Sequence, residues 1–207
     1  MTTPREELVQ LDRRVQQLIS LVGEALSGAT AALLGGEPAT GQTIVEADQA
    51  IDDATAGLDQ LIWERLDAGS HDGATLRSLV GILLILPELE RSADLAEHIA
   101  QRAVSNVGPE MTPVSRGIVQ RMSEVAVEMW RTVADAYAER SAQAGWLAEA
   151  DEELDILHRR LTGEVATEAM PAAIGAQVTL LARFYERLGD HAVNLARRIE
   201  TLAARGG

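Results

Sequence analysis

The sequence has no cysteine and few aromatic side chains among its 207 residues. The absence of cysteine excludes disulfide bonds and thiolate chemistry, and it is typical of a protein from a reducing compartment. Three Trp, two Tyr and one Phe are too few to fill a core, so Leu, Ile, Val and Ala must form it, which favours closely packed helices. We find no segment in which apolar and polar residues alternate between turn residues, as they do in a half-buried strand. We therefore predict an all-α protein.

Long apolar runs and positive charge are also scarce. The longest apolar run spans only residues 79–86 and ends at Pro87, whereas a membrane-spanning helix needs about 20 apolar residues. We find no basic start followed by an apolar segment, so we expect no secretion signal. The formal net charge of −14 repels nucleic-acid phosphates and anionic lipid, and it favours basic partners or cations. We expect a cytoplasmic protein that neither binds nucleic acid nor inserts into the membrane.

Hydrophobic periodicity predicts six helices. In the first half, two helices cover about 5–34 and 40–67, and a third follows a turn at 69–73 and ends near 106. In the second half, the helices cover about 114–143, 146–164 and 170–204. The segment 107–113, Val-Gly-Pro-Glu-Met-Thr-Pro, has the composition of a linker. We therefore divide the chain into two domains, residues 1–107 and 108–207.

The two domains are similar in sequence. The stretch 185–194 in the last helix has an imperfect copy at 89–98 in the third helix, and each copy holds the pattern Glu-Arg-x-x-Asp. Three amphipathic helices joined by short loops pack as an antiparallel bundle. The sequence thus predicts two tandem three-helix bundles related by internal duplication.

Paired carboxylates recur in both halves. Each pair has i,i+4 spacing, which places its members on one face of a helix. In an antiparallel helical hairpin, residues equidistant from the turn lie at the same height along the hairpin axis. In each half, the pair on the second helix is therefore level with the pair on the third. These carboxylates are Asp48, Asp52, Glu90 and Asp94 in the first half, and Asp151, Asp155, Glu186 and Asp190 in the second. Oxygen-only ligand sets suit hard cations such as Mg²⁺, Mn²⁺, Ca²⁺ or oxidised iron, but the pattern also fits ordinary solvated carboxylates in a chain with 32 acidic residues.

Other polar and apolar features are predicted to be structural. His98 and Asn194 occupy equivalent positions and are either further ligands or surface polar residues, whereas His191 points about 100° away from the adjacent Asp190. The run 79–86 is apolar on every side, so its helix is either enclosed by its own bundle or buried against a second subunit or the other half. Of these, we favour an interface. Pro87 is predicted to kink the third helix.

No catalytic constellation is recognisable in the sequence. We find neither a nucleophile with a base nor a glycine-rich phosphate loop. A ferritin-like di-metal enzyme would need Glu-x-x-His motifs on two helices, and the chain has no such pair. The residues alone therefore give no reason to predict an enzyme.

The segment 186–196, ERLGDHAVNLA, resembles the signature of the PhoU family, E-R-I-G-D-H-A-x-N-I-A. The segment 48–52, DQAID, is similar to the second-helix motif of that family, and TLR at 75–77 stands where the first repeat usually reads D-L-R. The first half departs from the pattern, because Ser92-Ala93 replaces Ile-Gly and His98 replaces Asn. The resemblance implies two tandem three-helix bundles, a homodimer, and metal held by the eight carboxylates as two sites for Mg, Mn or Fe.

The resemblance also implies a function in phosphate signalling. PhoU-like proteins are regulators and not enzymes. They act between the phosphate ABC importer and a sensor histidine kinase, and they keep phosphate-starvation genes off when phosphate is plentiful. The expected partners are thus the ATPase subunit of the importer and the kinase of a two-component system. The expected location is cytoplasmic, peripheral at the inner membrane through these partners. The alternative is a non-catalytic helical adaptor, or a paralogue without a phosphate role.

Overall fold

The computed structural model describes residues 4–69, 71–139, 141, 144–167 and 170–206, and these contain seven helices and no strand. The helices are α1 (Pro4–Gly35), α2 (Pro38–Asp67), α3 (Gly73–Val104), α4 (Val107–Glu110), α5 (Pro113–Glu139), α6 (Ala144–Thr167) and α7 (Ala172–Gly206). The six long helices confirm the all-α prediction. The predicted end of the fourth helix at 143 lies outside the described residues.

Four of the helices form a closed ring. Helix α1 packs against α3 and α5, and α7 also packs against α3 and α5. Helix α2 lies outside the ring on α1 and α3, and α6 lies on α5 and α7. Each half is thus a three-helix bundle, as predicted. The α1–α5 and α3–α7 contacts join the two halves through one continuous hydrophobic core.

Helix α1 is central because its apolar residues follow the helical period. Leu11, Val15, Leu18, Val22 and Leu26 are all buried, and their spacing of three or four residues places them on one face. Among the described residues, α1 is also the one helix long and apolar enough to cross a membrane. Since its apolar face is covered by neighbouring helices, it serves as a core helix of this bundle.

The apolar run of α3 is buried on one side only. Leu79, Ile82 and Ile85 belong to the core, while Val80 and Leu84 are exposed. Pro87 lies inside α3, which continues without interruption from Gly73 to Val104. The run therefore contributes both to the core and to the surface.

The predicted linker is a packed part of the fold. Asn106 adopts a left-handed conformation with φ of 55° and starts α4, whose residues Val107 and Gly108 are buried. The Arg116 guanidinium donates to the Gly108 carbonyl at 2.8 Å and to the Leu34 carbonyl at the end of α1. These bonds fix α4 against the C-terminal end of α1.

A buried hydroxyl network joins three helices of the ring. The Thr30 Oγ1 hydroxyl of α1 donates to the Leu26 carbonyl at 2.9 Å and accepts from Ser123 Oγ of α5 at 3.0 Å. Since Thr30 has a single hydroxyl proton, the Tyr185 hydroxyl of α7 donates to Thr30 Oγ1 across 2.6 Å. Burial raises the pKa of Tyr185, so the phenol stays a donor.

We expect Tyr185→Phe to lower the free energy of unfolding by about 1 kcal/mol, the typical net value of one hydrogen bond. Urea denaturation of the wild type and the variant measures this loss. Thr43→Ala is the control, because the Thr43 hydroxyl is exposed and bonds only to the carbonyl one turn earlier, and such changes fall within about 0.5 kcal/mol. Equal effects of the two variants would show that the buried network does not stabilise the junction of the halves.

Candidate metal centre

Three carboxylates converge between α2 and α3. Asp48 and Asp52 on α2 and Asp94 on α3 each offer an oxygen, and these atoms lie within 4.8 Å of one another. Asp52 Oδ1 is buried, and no described residue forms a hydrogen bond with it. The arrangement matches the oxygen-rich environment that hard cations prefer.

The cluster concentrates negative charge in a partly desolvated place. The pKa of Asp48 is raised from 3.8 to about 6, chiefly by burial and further by the charges of Asp52, Glu97 and Asp94. Both causes disfavour the ionised carboxylate. A bound cation would remove this penalty, because it offsets the like charges directly.

The structure does not bring Glu90 into this group. Glu90 is exposed, and the α3 glutamate whose charge acts on Asp48 is Glu97. Equal distance from the turn locates a partner only to within about one helical turn of 5.4 Å. The signal for Glu97 was its i,i+3 spacing from Asp94, which places both side chains on one face.

In the second half, the other three predicted carboxylates act on Asp151. Burial raises the pKa of Asp151 to about 6, and the charges of Asp190, Asp155 and Glu186 add to the effect, while Arg197 opposes it. Glu186 also forms an ion pair with Arg183, one turn earlier on α7. Among the described residues, the close convergence of three carboxylate oxygens occurs in the first half and not here.

The glycine of the segment 186–196 has a clear structural reason. A Cβ atom on Gly189 would lie 2.6 Å from Leu154 Cδ1 and 2.8 Å from Asp151 Oδ1. The absence of a side chain thus lets α7 approach α6 and leaves room for the Asp151 carboxylate. Ala93 holds the equivalent position in the first half and is also buried.

His191 faces the other half of the molecule and not the carboxylates. Ser92 Oγ donates to the Glu88 carbonyl at 2.6 Å, so His191 Nδ1 donates to Ser92 Oγ across 2.9 Å. Burial lowers the pKa of His191. The histidine therefore contributes a hydrogen bond between α3 and α7, in agreement with its predicted direction away from Asp190.

His98 and Asn194 have different environments despite their equivalent positions. The His98 ring stacks on the Phe184 ring of α7 with 5.4 Å between the centroids. The Arg102 guanidinium lies 4.9 Å from the centroid of the Phe184 ring. Asn194 is exposed. His98 thus packs between the two halves.

A family model described as the PhoU domain matches residues 15–103 and again 119–199. One match falls in each half of the chain. The duplication seen in the sequence is therefore also a duplication of the recognised domain.

Two curated relatives align over nearly the whole chain. A protein of Rhizobium meliloti called "Phosphate-specific transport system accessory protein PhoU homolog" is 30% identical over 204 residues, which cover 96% of this chain and 86% of the relative. A Mycobacterium tuberculosis protein called "Phosphate-specific transport system accessory protein PhoU homolog 2" is 28% identical over 202 residues, which cover 96% of this chain and 95% of the relative.

Solved structures confirm the fold. Pseudomonas aeruginosa PhoU superposes with a TM-score of 0.89 at 24% identity, over 99% of this chain and 100% of that one. The phosphate transport system regulatory protein PhoU from Streptococcus pneumoniae gives a TM-score of 0.84 at 21% identity, over 97% and 96%. The two tandem bundles are thus an architecture already observed in crystals.

Proposed function

This chain belongs to the PhoU family, and we propose that it is an accessory regulator of phosphate transport. The observation that carries the proposal is the alignment with a phosphate-specific transport system accessory protein over 96% of the chain. Because both halves align, the role proposed is that of the whole protein and not of one repeat.

We further propose that the protein represses the phosphate-starvation response. In this role it contacts the ATPase subunit of the phosphate importer and a sensor histidine kinase, as a homodimer at the inner face of the membrane. The role is regulatory and involves no catalysis. Support comes from the signature-like segment 186–196, which lies on α7 where the two halves meet.

We also propose that the two carboxylate clusters bind Mg, Mn or Fe ions. The support is the convergence of Asp48, Asp52 and Asp94 within 4.8 Å and the raised pKa of both Asp48 and Asp151. The cluster of Asp151, Asp155, Glu186 and Asp190 would be the second site. Bound cations would stabilise the α2–α3 and α6–α7 pairs by neutralising their facing charges.

Deletion of the gene tests the regulatory role. We expect alkaline phosphatase, the reporter of phosphate starvation, to be produced in a deletion strain grown with abundant phosphate, and the intact gene to restore repression. An empty vector is the control. Unchanged reporter activity in the deletion strain would contradict the proposal and favour the second candidate, a helical adaptor or a paralogue without a phosphate role.

A further inference from the structure

An apolar stripe on α3 faces solvent although its neighbours are core residues. Leu76, Val80 and Leu84 follow at i, i+4 and i+8 and are exposed by 45%, 42% and 53%. This spacing places them along one side of the helix. They form one wall of a groove of about 500 Å³ between α3 and the C-terminal part of α7.

The same groove carries three arginines. Arg77 comes from α3, and Arg197 and Arg198 come from α7. None of the described residues that line the groove is acidic, although the chain has 32 acidic and only 18 basic residues. The groove is thus a basic, apolar surface on an acidic protein.

The Arg198 side chain is held by an ion pair with a buried glutamate. Its guanidinium lies 3.6 Å from Glu88 Oε1, and Glu88 is buried and also pairs with Arg91 at 3.1 Å. A long side chain held in this way has already lost much of the rotamer entropy that binding would otherwise cost. The groove therefore presents at least one preorganised cation beside the apolar stripe.

We propose that this groove binds an acidic amphipathic helix of another protein. Such a helix would place its apolar face on Leu76, Val80 and Leu84, which is the usual helix-in-groove mode of recognition. Its carboxylates would meet the arginines at the rim, where complementary charge promotes association and excludes wrong partners. This inference does not depend on the phosphate role.

The charges argue against two other occupants. A second copy joined through the same face would bring two sets of three arginines together, because a two-fold interface repeats the same patch on both subunits. An anionic membrane would attract the groove, but the net charge of −14 repels such a surface as a whole. A short acidic helix brings no second set of arginines. Because charge interactions in solution are screened over about 8–10 Å, a ligand confined to the groove is governed by its arginines more than by the net charge of the whole protein.

The test uses a fluorescein-labelled synthetic amphipathic helix of about 18 residues, long enough to hold helical structure, with leucines along one face and glutamates beside them. A matched peptide carries lysine in place of glutamate. Fluorescence anisotropy with the full chain is expected to show binding of the acidic peptide, which weakens with added salt, and at least about tenfold weaker binding of the lysine peptide, or 1.4 kcal/mol.

Two groove variants and two controls locate the binding. Leu84→Glu and Arg77→Glu are each expected to weaken binding of the acidic peptide by about tenfold or more. Leu180→Glu and Arg131→Glu change an exposed leucine and an exposed arginine outside the groove, and they are expected to leave the affinity unchanged. All four residues are exposed, and thermal unfolding verifies that each variant is folded.

Several outcomes would overturn the proposal. They include no binding of either peptide, equal binding of both, and undiminished binding by Leu84→Glu. If light scattering shows that Leu84→Glu turns a wild-type dimer into a monomer, a second copy occupies the groove instead. If phosphatidylglycerol vesicles sediment with the wild type but not with Leu84→Glu, the occupant is a membrane surface.

Discussion

Gly108→Ala is expected to lower the free energy of unfolding by about 3 kcal/mol, at the upper end of the usual cost of overpacking. A Cβ atom at this position would lie 1.8 Å from the Leu33 carbonyl oxygen and 2.8 Å from the Leu33 carbonyl carbon. Both are backbone atoms of α1, so neither can rotate away as a flexible side chain would. The added methyl group therefore forces α4 and α1 apart.

The surrounding contacts make that separation costly. Val107, next to Gly108, is buried in the core, and Arg116 bonds both the Gly108 carbonyl and the Leu34 carbonyl. Moving α4 outward would expose the valine and break at least one bond to a charged donor, which is worth about 1.5–3 kcal/mol. The variant has no inexpensive way to relax.

Gly117→Ala is the matched control. Gly117 lies in α5 and is exposed, and a Cβ atom there would meet nothing within 4 Å. Alanine in a helix is favoured over glycine by about 0.8–1.0 kcal/mol, so this variant is expected to be more stable than the wild type. Urea denaturation of all three proteins gives the comparison. If both alanine variants are stabilised, α4 is not packed on α1 in solution.

The predicted linker shows where the sequence is ambiguous. Residues 107–113 contain a glycine and two prolines, which is the composition of a loop. Val107 and Met111 are buried, and α4 packs against α1, a helix far away in sequence. Local composition holds no record of that contact, whereas the long helices are predictable because each repeats its own apolar period many times.

The carboxylate clusters show a similar division. The i,i+4 spacing predicted that Asp48 and Asp52 share a face, and the hairpin geometry brought Asp94 to them. The choice between Glu90 and Glu97 was beyond the sequence, because it depends on how the two helices cross. The Arg183–Glu186 ion pair lies within one helix, whereas the effect of the Glu186 charge on Asp151 depends on how α6 packs against α7.

Asp48→Asn is expected to stabilise the metal-free protein at pH 7 and to abolish stabilisation by a cation. In the wild type, burial and three neighbouring carboxylates raise the pKa of Asp48 from 3.8 to about 6, so its ionised form opposes folding. A neutral asparagine of the same size removes that repulsion. The variant should therefore melt above the wild type when both are treated with EDTA.

The pH dependence gives the sign of the effect independently. Because the pKa is higher in the folded state, that state binds more protons than the unfolded state between pH about 4 and 6, and Asp48 makes the wild type more stable as pH falls through this range. His191 acts in the opposite direction, since burial lowers its pKa and its contribution is lost as pH falls below 6.5. His191 is present in both proteins, so its contribution cancels in the difference between the stabilities of the wild type and Asp48→Asn. The advantage of the variant should thus be largest at pH 7 and shrink toward pH 5.

Mn²⁺ is expected to reverse the order of the two melting temperatures. A ligand at 100 times its Kd stabilises the folded state by about 2.7 kcal/mol, so Mn²⁺ should raise the Tm of the wild type substantially and that of Asp48→Asn much less. Asp59→Asn, an exposed aspartate on the same helix, is the control and should respond like the wild type. An equal response of Asp48→Asn would place the cation elsewhere, and a lower Tm of this variant in EDTA would show that the Asp48 carboxylate favours folding without a metal. Asp48→Asn is expected to combine higher stability without Mn²⁺ with a lost response to Mn²⁺. This combination is expected only if the carboxylates repel one another in the metal-free protein and together bind the cation.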